Sequence, residues 1–179
     1  MPHKDLVDSC KQGDSTGFRK LYELYAKAMY NTSLRILNNQ AEAEDVLQEA
    51  FTDAFRHIHS FANRSSFGSW LKQIVVNKSI NALRKRRLEL VDIDKVWVSE
   101  IPEESHVDEN EIQLKVQEVK KAIMLLPDGY RTVLTLYLLE GYDHEEISQI
   151  MGLAESTTRT QYMRAKQKLL QILKHGGAQ

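Results

Sequence analysis

Cysteine occurs once in the 179-residue chain, at Cys10, so neither an internal disulfide nor a thiolate metal cage can form. That scarcity suits a reducing compartment, where the lone thiol is expected to be inert packing. Long apolar runs are also missing. The longest, Ala122 to Leu126, falls far short of the ~20 residues that a membrane-spanning helix needs, and no apolar stretch follows Met1-Pro2-His3-Lys4-Asp5 as in an export signal. A cytoplasmic protein without membrane insertion is expected. No Walker-type glycine loop, HExxH motif or nucleophile elbow occurs. His144-Glu145-Glu146 lacks the second histidine of a zinc helix, and His57 and His59, two apart, point to different faces of a helix. The expectation is a non-enzyme with no catalytic residue, no metal and no cofactor.

What is present is charge, unevenly spread. The net charge of −1 conceals 14 Lys+Arg against 9 Asp+Glu in residues 1–87, one Lys against nine acids in 88–112, and 9 against 7 in 113–179. Two basic bodies flank an acidic tether. The tether carries Pro102 among its acids and shows no sustained periodicity, so 88–112 reads as a flexible linker.

Three prolines and eight glycines punctuate a chain otherwise rich in helix formers, with apolar residues at three- and four-residue spacing. The fold class is all-α: two small helical domains joined by the acidic linker, the second holding a helix-turn-helix. Gly13-Asp14 opens a long helix ending near Asn38-Asn39, with Phe18, Leu21, Tyr22, Tyr25, Met29 and Leu34 on one stripe. The next helix runs from Ala41 to about His59. It turns Val46, Leu47, Ala50, Phe51, Ala54, Phe55 and Ile58 to one side, and Asp45, Gln48, Glu49 and Thr52 to another. After a loop over 60–66, a third helix starts apolar near Phe67 and ends in Arg84-Lys85-Arg86-Arg87. Helices resume near Gln113, break at Pro127-Asp128-Gly129, and break again at Gly141.

In the last segment Asp143 is placed to cap a helix, with Glu146 three residues on completing a capping box and Gly152 suited to the left-handed stop. A second helix opens at Ser156-Thr157. Its exposed first half offers Arg159, Thr160, Gln161, Met163 and Arg164, with Lys166 and Lys168 behind them. Polar groups first and cations later is the order by which a recognition helix meets base edges and then phosphates. An amphipathic hairpin with a solvated basic face has the same pattern.

Five stretches decide between these readings. They are Ala43-Glu44-Asp45-Val46-Leu47-Gln48-Glu49-Ala50-Phe51; Ser66-Phe67-Gly68-Ser69-Trp70-Leu71-Lys72-Gln73-Ile74-Val75-Val76-Asn77; Leu126-Pro127-Asp128-Gly129-Tyr130-Arg131; Glu140-Gly141-Tyr142-Asp143-His144-Glu145-Glu146-Ile147; and Ser156-Thr157-Thr158-Arg159-Thr160-Gln161-Tyr162-Met163-Arg164-Ala165. In this order the chain resembles the extracytoplasmic-function sigma factors of bacterial RNA polymerase, over nearly everything outside 88–112. The resemblance implies a promoter-specificity subunit that binds core polymerase, directs it to promoters and melts the duplex. It implies a region 2-like domain over 1–87 and a region 4-like domain over 113–179, with the linker threading the polymerase. It places Asp45, Gln48 and Glu49 on the surface that docks on core polymerase. It places Asn63, Arg64, Ser65, Ser66, Phe67, Asn77, Lys78, Arg84 and Lys85 on the melted minus-ten strand. It places Ser156, Thr157, Arg159, Thr160, Gln161, Arg164 and Lys168 on the double-stranded minus-thirty-five element. Partners would be core RNA polymerase, promoter DNA and an anti-sigma factor, the chain being a monomer when free of them.

The residues keep other readings open. Glu42, Glu44, Asp45 and Glu49 also suit a helix N-terminus, while a carboxylate metal cluster would need a histidine at Glu-x-x-His spacing that is not there. Trp70, among Leu71 and Ile74, reads as core before stacking platform. The chain departs from the family pattern at Gln161, where arginine is frequent, and at Thr158, where valine is usual and a buried hydroxyl would need a partner. A ligand-sensing activator on a palindrome and a helical interaction protein without a DNA role are the competing functions.

Overall fold

The computed structural model describes the backbone of residues 3–91 and 116–176, with side chains for 3–87 and 116–174. The expected linker lies outside the described residues beyond Val91. Among the described residues there are helices and turns and no strand, so the fold is all-α. Its contacts divide into units Met1–Lys85 and Arg86–Gln179.

The first unit opens with α1 (Lys4–Lys11), which sequence periodicity did not signal. Eight residues with no side-chain cap hold it by burying Val7 and Cys10 against α2 (Ser15–Leu37). Asp14 caps α2 by accepting from the Thr16 amide at 2.9 Å, and Asn38 closes it in the left-handed region. Asn39 then accepts from the Glu42 amide at 3.1 Å and starts α3 (Gln40–Arg56). A 3-10 turn (Ile58–Ser60) takes the place of the expected last helical turn.

α4 (Phe67–Val91) buries Phe67, Leu71, Val75, Val76, Ile80 and Leu83, and its backbone stays helical past Arg87. Its N-terminus lies close to α2. A Cβ on Gly68 would come within 2.6 Å of a Tyr25 ring carbon, so the approach requires glycine. Farther along, the buried Ser79 hydroxyl lies 2.9 Å from Ser33 Oγ and 2.8 Å from the Val75 carbonyl, which satisfies a polar pair inside the α2–α4 contact.

In the second unit, α5 (Val116–Met124), α6 (Asp128–Leu134) and the long α8 (Glu155–Gly176) surround a core of Ala122, Ile123, Leu126, Leu134, Ala165 and Leu169. Arg131 is buried at 2% exposure, which is tolerable because its guanidinium donates to the Leu126 carbonyl at 2.8 Å and to Asp128 at 2.5 Å. Burial pushes the Asp128 carboxyl up, and the hydrogen bonds and charges of Arg131 and, after it, Arg86 together outweigh it, holding the group below the usual carboxylate value. After α6 the backbone widens into a π-helical segment (Thr135–Leu139), closed by the Glu140 amide on the Thr135 carbonyl at 3.0 Å. α7 (His144–Met151) follows.

Candidate nucleic-acid interface

On α3, burial of Ala43, Val46, Leu47 and Ala50 turns Asp45, Gln48 and Glu49 outward, and all three are exposed on one face. Glu49 is shared with α4: Lys78 Nζ sits 3.4 Å from its Oε2 and 2.6 Å from Asp53 Oδ2. The Lys78 hydrogen bond holds the Asp53 carboxyl below its ordinary value, and the same bond raises the Lys78 ammonium. Lys78, expected along DNA phosphates, is therefore committed to tying α4 to α3.

The loop before α4 divides by role. Asn63 is half-buried in the left-handed region (φ 55°), a backbone state that its short polar side chain tolerates. Arg64 and Ser65 are exposed. Ser66 is occupied locally, its Oγ accepting from the Ser69 amide at 3.1 Å and lying 2.8 Å from the Ser69 hydroxyl, as a helix cap does. Phe67 departs from its expected place on the DNA. It is 1% exposed, with its ring 5.5 Å from Tyr25, 6.0 Å from Phe61 and 5.8 Å from Trp70. An aromatic at the first position of a helix whose stripe faces inward packs with that stripe, so Phe67 and Trp70 anchor the loop. Asn77, Arg84 and Lys85 are exposed, at spacings that return to one face of α4.

The helix-turn-helix is built as its sequence requires. Asp143 accepts from the Glu146 amide at 2.8 Å while Glu146 accepts from the Asp143 amide at 2.9 Å, and Gly152 ends α7 at φ 66°. α7 buries Ile147 and His144. The imidazole stacks on Tyr137 at 4.6 Å and meets the Thr158 hydroxyl at 3.3 Å. Thr158 is fully buried, and its hydroxyl donates to the Glu155 carbonyl at 2.8 Å, which supplies the partner that the position demands.

Burial of Thr158, Ala165 and Leu169 fixes how α8 is turned. Ser156, Thr157, Arg159, Thr160 and Arg164 are exposed, as is Met163 at 55%. Gln161 is not on that face. It falls on the Thr158–Ala165 stripe, and its Oε1 is buried without a hydrogen-bond partner beside Gly129. Lys168, three residues past Ala165, is half-buried on the flank of the same stripe. Glu155 went unnoticed in the sequence. Its Oε1 accepts from Arg159 Nε at 3.2 Å and Nη2 at 2.5 Å, an arrangement that the Glu-to-Arg spacing of four residues announces.

Known proteins carry the same two pieces in the same order. The Sigma-70 region 2 family model matches residues 21–89 and the model described as Sigma-70, region 4 matches 116–169. The chain is 33% identical over 158 residues to the ECF RNA polymerase sigma factor SigM of Bacillus subtilis, covering 88% of this chain and 95% of that one. It is 31% identical over 173 residues to the ECF RNA polymerase sigma-E factor of Escherichia coli, covering 92% and 90%. Among solved structures, the sigma factor RpoE in complex with the anti-sigma factor NepR from Bartonella quintana aligns with a TM-score of 0.58 at 26% identity, over 88% of this chain and 96% of that one. With a helix-turn-helix at its end, an outward acidic face on α3 and relatives matched over nearly their whole length, the chain belongs to the extracytoplasmic-function sigma factors, alternative sigma factors that direct RNA polymerase to promoters.

Proposed function

We propose a residue-level division of that work. Residues 1–87 act as the region 2-like domain, 88–112 as the acidic linker, and 113–179 as the region 4-like domain. Asp45, Gln48 and Glu49 dock on core polymerase, where carboxylates and an amide on one helix face can meet Arg or Lys of the partner. Asn63, Arg64 and Ser65, with Asn77, Arg84 and Lys85, hold the melted minus-ten strand. An unpaired base leaving the stack costs a few kcal/mol, and groups on a fixed loop beside a cationic helix can offset that cost. Phe67 and Ser66 position the loop. Ser156, Thr157, Arg159, Thr160 and Arg164 read the double-stranded minus-thirty-five element, with Lys168 at its edge.

The observation that carries this reading is the one exposed face of α8 holding Ser156, Arg159, Thr160 and Arg164 behind a fully capped α7. The relative solved with the anti-sigma factor NepR motivates a further part of it, that an anti-sigma protein restrains this chain too. The role is non-enzymatic and cytoplasmic, and the free chain is a monomer. Run-off transcription with purified core polymerase and genomic fragments tests the whole. Specific start sites above the core-alone background are expected with the wild type. Asp45→Ala with Gln48→Ala should weaken core binding while leaving the minus-thirty-five preference of assembled holoenzyme intact. Loss of both together would refute the division of roles.

A further inference from the structure

We propose that Glu155 is a positioning residue that aims Arg159 at the bases and keeps it off the phosphate backbone. The inference rests on the reading of Arg159 as a minus-thirty-five contact. Both residues lie in the first turns of α8, on surface that a recognition helix presents to the major groove, and their side chains are 45% and 63% exposed. A guanidinium on such a stem ordinarily samples many rotamers and settles on the nearest phosphate as readily as on a base. Here one carboxylate oxygen takes both Nε and Nη2, a fork that fixes the plane of the guanidinium.

The donors used lie along one edge of the planar group. The opposite edge, Nη1 with the second proton of Nη2, points away from Glu155 and keeps the two parallel donors that match O6 and N7 of guanine. The carboxylate also adds negative charge next to where the DNA backbone would pass, which penalises a loose, phosphate-bound pose. Arg164, on the same face, has no carboxylate partner among the described residues and serves as the internal comparison.

The test uses holoenzyme assembled from core RNA polymerase and the full chain, as wild type, Glu155→Gln, Arg159→Ala and the double variant. The probe is a fluorescent promoter duplex whose minus-thirty-five segment is the sequence that wild-type holoenzyme enriches from a randomised pool. Its single-base variants and a mixed-sequence duplex complete the set. Arg159→Ala should flatten preference at one position or two adjacent ones. Glu155→Gln should lower discrimination at those same positions by roughly three- to tenfold, a part of the ten- to hundredfold that a bidentate arginine–base pair can give. Preference elsewhere, including the positions that Arg164→Ala affects, should stay within about twofold. Binding to the mixed duplex should tighten, and the salt slope should steepen by about one as the released guanidinium neutralises a phosphate. The double variant should match Arg159→Ala at the affected positions.

Unchanged discrimination in Glu155→Gln, beside a clear effect of Arg159→Ala, overturns the positioning role and leaves the reading of α8 standing. A change at a position that Arg159→Ala does not touch makes Glu155 a direct reader and also overturns the proposal. No positional effect of Arg159→Ala overturns the reading of Arg159, and the role of Glu155 with it.

Discussion

Replacing Thr158 by valine tests the packing beneath the recognition helix. The hydroxyl has one proton, and the Glu155 carbonyl at 2.8 Å is its nearest acceptor. The lone pairs that remain face His144 Nδ1 at 3.3 Å, so we assign the imidazole the tautomer with its proton on Nδ1. That ring is 9% exposed and stacked on Tyr137, with Tyr162 edge-on at 5.6 Å, so water has little access to the nitrogen. Thr158→Val leaves the buried N–H without its acceptor, at a cost of about 1–3 kcal/mol. The methyl that replaces the hydroxyl returns about 0.8 kcal/mol. A net loss of about 1 kcal/mol follows, which in a unit of this size lowers its melting temperature by about 4–8 °C. Near-ultraviolet circular dichroism of the Tyr137 and Tyr162 environments would follow the transition. His144→Phe keeps the stack and removes the nitrogen, so in that background Thr158→Val should cost nothing or stabilise. A Thr158→Val protein with His144 retained that melts at or above the wild-type temperature would refute the assignment.

Phe67→Ala should destabilise the first unit by about 3–5 kcal/mol, read by thermal unfolding with Trp70 fluorescence; unaltered stability with promoter opening lost would return Phe67 to the DNA. Lys78→Met should weaken the first unit at pH 7. Its deficit should shrink as acid titrates Asp53, because a carboxyl held low in the folded state contributes stability above its ordinary value and loses it below. Lys78 is raised, so its half of the pair persists through neutral pH and is lost only in strong base. Urea unfolding at several pH values measures this, and a deficit constant to low pH would count against the pair. The Cys10 thiol is 1% exposed, and burial pushes its pKa up to about 11, with Asp14 adding to the rise. It should alkylate far more slowly in native protein than in urea; equal rates would show that α1 does not cover it.

The helix-turn-helix was legible because its signals are local. A capping box, a left-handed glycine and a period of 3.6 lie within a few residues of what they determine. α1 was not legible, since eight polar-rich residues become a helix only through burial of Val7 and Cys10 against α2, a contact beyond any sequence window. The π-helical segment escaped for a related reason: its backbone bond runs five residues, which no amphipathic template anticipates. Site residues separated along the same line. Asp45, Gln48, Arg159 and Arg164 are exposed as helical phase requires. Phe67, Ser66 and Lys78 were assigned by likeness of motif, and each is occupied by a ring cluster, a cap or an ion pair that motif alone does not reveal. Gln161 was read as part of the exposed first half of its helix, and there the phase reading failed, because the residue falls on the buried stripe.

Two ion pairs bear on how such a protein avoids holding DNA by charge alone. Phosphate contacts supply affinity without sequence information, so every loosely held cation favours binding at the wrong site. In the first unit, Lys78 lies against Asp53 and Glu49; in the second, Arg159 lies against Glu155. Each pairing lowers the local positive charge without removing the side chain. Exposed pairs of this kind add little to folding stability, generally below about 1 kcal/mol. Their larger effect falls on what the cations can do next, because a guanidinium already engaged on one edge exchanges its carboxylate for a phosphate at little gain, while a guanine that matches its other edge adds two hydrogen bonds. With Arg159 in the proposed role, discrimination comes from geometry that survives binding.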